Sequence, residues 1–133
     1  MAELEKELVK ISELSFYLDK KQWVVKAIVM KKGKIIPYKD GGKLFKIEIV
    51  DESNNAIECT FYRDCSDIFY DTIEEGYKYF FSKAEVATAN KKFTSCKNDY
   101  RIIFKPTSLI VKCKNQKQLK PEEMVRPEFT SLS

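Results

Sequence analysis

The chain contains no histidine, so the side chain most often used for general base catalysis and for metal ligation at neutral pH is absent. No glycine-rich phosphate loop or nucleophile elbow appears, and an enzyme is the weakest reading. Four cysteines stand at 59, 65, 96 and 113 with no C-x-x-C pair among them, which argues against a zinc site. No cofactor or metal is expected, and the thiols read as small reduced hydrophobes. Only four glycines and four prolines punctuate the 133 residues, too few for a low-complexity tail. No run of about 18 apolar residues is present, and the start MAELEKELVK lacks the basic and apolar regions of a signal peptide. These absences imply an intracellular, soluble protein, and a length of 133 residues suits a single domain.

What is present is uneven charge. The net charge of +4 is mild, but from Glu48 to Glu75 nine acids (Glu48, Asp51, Glu52, Glu58, Asp64, Asp67, Asp71, Glu74, Glu75) face the single base Arg63. The bases gather elsewhere. One group is Lys31, Lys32, Lys34, Lys39, Lys43 and Lys46; a second is Lys83, Lys91, Lys92, Lys97, Arg101 and Lys105; a third is Lys112, Lys114, Lys117 and Lys120. Taken singly, most of these lysines are solvated loop residues. They make a polyanion groove only if the fold brings the first two groups to one face.

Hydrophobic periodicity supplies such a fold. Leu4, Leu8, Ile11 and Leu14 have helical spacing, so residues 1–10 form a short helix or an arm. Trp23 to Met30 is β-branched and reads as a first strand, followed by a loop to Gly42. In Lys43 to Val50, Phe45, Ile47 and Ile49 alternate with Lys46 and Glu48; after the DESNN turn, Ile57, Cys59 and Phe61 alternate with Glu58, Thr60 and Tyr62. Asp64 is expected to cap a helix over about 65–75, striped by Ile68, Phe69 and Ile73 and ended by Gly76. Tyr77 to Thr88 reads as a fourth strand. A fifth begins at Phe93 and runs to Phe104, and Leu109 to Cys113 closes the domain. Residues 11–114 thus form the domain and 115–133 a polar linker.

Three strands, one helix and two strands suit an all-β OB-fold, a five-stranded, partly open Greek-key barrel whose strand 2 and 3 face and loops 1-2 and 4-5 bind oligonucleotides. Single-strand binders need stacking platforms as well as charge. Tyr62 on the outward face of strand 3 and Phe93 at the tip of the 4-5 hairpin fit that role. The plainer readings are that Tyr62 caps the barrel end and that Phe93 begins strand 5 pointing inward.

The runs GGKLFKIEIVDES (Gly41 to Ser53), YFFSKAEVATANKKFTSCKNDY (Tyr79 to Tyr100) and ISEL to Trp23 resemble the large-subunit family of replication protein A, in particular its first central DNA-binding domain. The likeness covers about Ile11 to Cys113. It implies an OB-fold that binds single-stranded DNA in the nucleus, with Tyr62 and Phe93 as the stacking aromatics. The Tyr62 match rests on a one-residue insertion at Asn54 or Asn55; without it Phe61, on the buried side of the alternation, would match instead. Thr60, Tyr38, Lys39, Lys43, Lys46, Lys91, Lys92 and Arg101 complete the expected contact set, Tyr38 and Lys39 as stand-ins in a shorter loop 1-2.

Three positions depart from the family pattern: Glu58 where an arginine is usual, Ala87 where a lysine is usual, and Arg101 where an acid is usual. Such departures suit a specialised paralog acting with telomerase on G-rich repeats. PEFTSLS (Pro127 to Ser133) resembles the opening of a second DNA-binding domain, which implies sister OB domains and partner subunits. The rival reading is an OB module that takes an acidic peptide or partner protein in the same groove. RNA is a lesser rival.

Overall fold

A computed structural model of the chain describes residues 8–14, 23–38, 41–89, 98 and 100–120. Eight strands make one curled sheet: β1 Val24–Lys32, β2 Ile36–Tyr38, β3 Gly42–Val50, β4 Ala56–Tyr62, β5 Lys78–Ser82, β6 Glu85–Thr88, β7 Tyr100–Phe104 and β8 Leu109–Lys112. The order across the sheet is β6-β7-β4-β3-β1-β5-β8, with β2 paired to β3. All pairs are antiparallel except β4 with β7. β5 and β6 are consecutive in the chain, yet β5 lies beside β1 and β6 beside β7. The sheet therefore wraps round on itself, as the expected OB barrel requires.

Alternation decides which side of each strand fills the barrel. Phe45, Ile47 and Ile49 of β3, Ile57, Cys59 and Phe61 of β4, Phe81 of β5, and Ile102 and Phe104 of β7 are all buried in one core. Phe45 and Phe61 stack at 4.4 Å between centroids, and Phe104 meets Phe61 edge-on at 4.7 Å. Such pairing adds stability beyond area burial. Cys59 and Cys65 are buried, in line with the reading of small hydrophobes.

Four expectations are corrected. Helix α1 covers only Asp64–Phe69, and Asp64 is its first residue; the capping position falls on Arg63, at φ 49 with no side-chain cap. Beyond the helix, the amides of Thr72 and Ile73 both donate to the Phe69 carbonyl. Cys65 and Phe69 face the core, whereas Ile68 is 47% exposed and is not part of the apolar stripe. The fourth strand is broken at Lys83, whose φ of 56 bends the chain so that β5 and β6 serve opposite ends of the sheet. The start of the fifth strand, including Phe93, lies outside the described residues, and β7 begins at Tyr100.

Segments that flank the barrel in the sequence pack onto it. Leu8 bridges Val24 as an arm, and Ile11–Glu13 forms one 3-10 turn that buries Ile11. Residues read as linker pack onto the domain: the amide of Leu119 donates to the Gly76 carbonyl, the side chain of Gln118 donates to the Glu75 carbonyl, and Leu119 packs against Ile28 and Val50.

Candidate nucleic-acid interface

The outer face of β3, β4 and β7 carries the side chains that the core does not take. On β4 these are Glu58, Thr60 and Tyr62, in register with Glu48, Lys46 and Leu44 of β3. On the other side, Arg101 of β7 is in register with Glu58, and Ile103 with Thr60. The same transverse row continues to Lys31 of β1 and to Ala87 of β6. A polar surface is therefore laid across five strands.

Tyr62 is half-buried at the end of β4, beside the core residue Phe61, which is fully buried. The turn before β4 accommodates Asn54 at φ 64, so the strand phase that places Tyr62 outward and Phe61 inward is the one the structure adopts. The Arg101 guanidinium donates from Nη1 to the Tyr62 hydroxyl oxygen at 3.1 Å. Arg101 sits opposite Glu58, four residues before Tyr62. At roughly 3.3 Å per residue the two side chains must reach toward one another along the sheet, across the position of Thr60 between them.

Thr60 does share the outward phase, but it is not a surface residue: it is fully buried, and its Oγ1 has no hydrogen-bond partner among the described residues. Alternation predicts its side of the strand but not its burial. Arg101 Nε is likewise buried and has no hydrogen-bond partner among the described residues. Lys46 lies 3.7 Å from a Glu58 carboxylate oxygen, so this lysine faces the same surface as expected.

Lys43 does not. It shares the phase of Phe45 and Ile47 and reaches the barrel end, where its ammonium meets Asp67 of α1 at 2.5 Å. Lys32 is also drawn to that end, with its ammonium 4.0 Å from the centre of the Tyr70 ring. The first basic group therefore divides, Lys31 and Lys46 lying in the outer-face register and Lys32 and Lys43 lying near the helix.

Loop 1-2 folds back as a short hairpin in which β2 pairs with β3 and the Tyr38 backbone lies opposite Gly42. Sequence reasoning treated this stretch as loop. It missed Ile35 and Ile36, which are 38% and 49% exposed beside the groove strands; an adjacent pair of isoleucines in an otherwise polar loop was the available signal. Lys39, Lys91, Lys92 and Phe93 lie outside the described residues. The end of loop 4-5 is fixed where Asn98 donates to the Ala56 carbonyl at 3.3 Å and accepts from the Tyr100 amide at 2.9 Å. That anchors the loop at the opposite end of β4 from Tyr62.

Residues 12–129 match the family described as domain of unknown function DUF223. The chain is 37% identical over 132 residues to the replication protein A 70 kDa DNA-binding subunit of Gallus gallus, covering 97% of this chain and 20% of that protein. It is 35% identical over 108 residues to the corresponding 70 kDa protein of Drosophila melanogaster, over 79% of this chain and 17% of that one. The chain thus spans about a fifth of the length of the curated relatives it matches. Among solved structures, it superposes with a TM-score of 0.75 and 31% identity on a chain of a replication protein A heterotrimer bound to ssDNA, over 84% of this chain and 27% of that chain. DNA-binding domain A of Saccharomyces cerevisiae replication protein A follows at 0.67 and 29%, over 83% of this chain and 96% of that one. The OB domain of a Thermoplasma acidophilum protein, at 15% identity, shares the fold.

Proposed function

This chain belongs to the DUF223 family and is an OB domain of the replication protein A large-subunit type, and from that premise we propose that it binds single-stranded DNA along the outer face of β3, β4 and β7. The observation that carries the reading is the Tyr62 side chain held on that face by Arg101. A tethered aromatic loses little rotamer freedom when a base settles on it, and stacking is indifferent to base identity. Lys31, Lys46 and Arg101 supply cations on the same register rows for the phosphates. Phe93, Lys91 and Lys92 of loop 4-5, with Tyr38 and Lys39 of loop 1-2, extend the contact set. The protein works beside sister OB domains of a longer subunit, where linkage converts moderate affinities into avidity, and with the other subunits of a replication protein A-like complex in the nucleus.

Fluorescence anisotropy with single-stranded DNA, RNA and duplex of equal length, at several salt concentrations, tests the proposal. Single-stranded DNA should bind best, with log affinity falling linearly in log salt by about 0.7 per neutralised phosphate. A flat salt response, or tighter binding of duplex, would overturn it.

A further inference from the structure

The middle of the candidate groove is acidic. In the transverse row Lys31, Glu48, Glu58 and Arg101, each residue is the register partner of the next. Strands lie about 4.8 Å apart, so the row is about 14 Å wide with two carboxylates at its centre, Lys31 at one flank and, at the other, the backbone of Arg101, whose guanidinium reaches toward Tyr62. Like charges directly opposed on a sheet are unfavourable. Here Lys46 offsets part of that repulsion at 3.7 Å from Glu58. On the same side of β4 as Glu58, fully buried Thr60 carries an Oγ1 with no hydrogen-bond partner among the described residues, and the same holds for Arg101 Nε.

Resting on the single-strand reading above, we propose that Glu58, with Glu48 beside it, selects bases bearing an exocyclic amino group over thymine. Phosphates are repelled from the central carboxylates and run along the cationic flanks, which turns the bases toward the centre. An ionised carboxylate can only accept hydrogen bonds. Cytosine presents an N4 amino donor and adenine an N6 amino donor, whereas thymine puts the O4 carbonyl at the matching position. A base with the amino group gains a charge-assisted bond, and thymine sets lone pairs against the carboxylate.

The test compares short oligo-dC and oligo-dT of equal length at neutral pH by anisotropy, on the whole chain and on Glu58→Gln and Glu48→Gln. The unaltered chain should prefer oligo-dC by about fivefold, the lower end of what one mismatched base contact costs. Glu58→Gln should raise affinity for oligo-dT and bring the ratio toward one. If removing the charge raises both affinities by the same factor, Glu58 acts only on the general field and selection is refuted. Equal binding of both oligomers by the unaltered chain refutes it as well, while leaving single-strand binding intact. Failure to bind either oligomer would sink the functional reading itself. Should Glu58→Gln melt early, Glu48→Gln reads the same ratio.

Discussion

Arg101 and Tyr62 meet through a 3.1 Å hydrogen bond although they are four residues out of register on neighbouring strands. The contact requires both long side chains to lie along the sheet instead of standing away from it. It thereby separates two contributions of Tyr62, the ring and the hydroxyl. Tyr62→Ala should weaken single-stranded DNA binding by about 1–3 kcal/mol, the usual loss for one base–aromatic stack. Tyr62→Phe should retain most of that affinity and lose only the tether. Binding isotherms on the two variants check this; equal losses would mean that the hydroxyl, not the ring, is what the ligand uses.

Phe61 supplies the contrast. It is fully buried, stacked on Phe45 and edge-on to Phe104. Phe61→Ala should destabilise the domain by about 3–5 kcal/mol through lost transfer energy and the cavity left behind, read by urea unfolding. A stable but binding-defective Phe61→Ala alongside an unstable Tyr62→Ala would reverse the assignment of the two rings.

How much of this was legible depended on whether a feature is local. The strand Ala56–Tyr62 coincides with its sequence reading, because strict alternation and a polar turn are signals contained in the strand itself. The phase of Lys43 was also legible: in β3 it alternates with Phe45 and Ile47, and counting it among the groove lysines set charge above phase. Three features were not local. Lys83 has no side-chain signal for a bend, and its carbonyl accepts from Ser108, 25 residues later in the chain. The docking of Leu119 lies in a segment that reads as polar. Thr60 owes its burial to neighbours that sequence spacing does not place.

The docked segment gives a stability prediction. Gly76 has φ 89, and a Cβ there would stand 2.3 Å from the Leu119 carbonyl oxygen. Gly76→Ala should therefore cost about 1–3 kcal/mol in backbone strain and loosen residues 116–119. Urea unfolding reads the first effect, and faster hydrogen exchange at the Leu119 amide the second. Unchanged exchange with lowered stability would place the strain in the 76–77 turn alone.

Alkaline stability should depend on Tyr79. Its side chain is buried, and its hydroxyl donates to the Thr72 carbonyl and accepts from the Glu74 amide. Burial raises the phenol above its ordinary value. The folded state thus holds the proton more tightly than the unfolded one, so stability is intact below the unfolded pKa of about 10 and declines as pH rises through the folded value. Tyr79→Phe should flatten that decline in urea unfolding at neutral and alkaline pH. An equally steep fall in the variant would assign it to other groups.

The acidic helix tests which face binds. Lys43 and Asp67 form a close ion pair, but with 42% and 61% of their side chains exposed it is worth at most about 1 kcal/mol after solvent screening. Reversing Asp67 and Asp71 to lysine should leave the fold in place. It also frees Lys43 and removes negative charge from the barrel end without touching the β3, β4 and β7 face. Affinity for single-stranded DNA should hold or rise slightly through long-range attraction, and the gain should fade as salt shortens the Debye length. Melting temperature and anisotropy on the same double variant decide the matter. A folded variant that loses most of its affinity would put the nucleic acid on the helix side and remove Tyr62 and Arg101 from the interface.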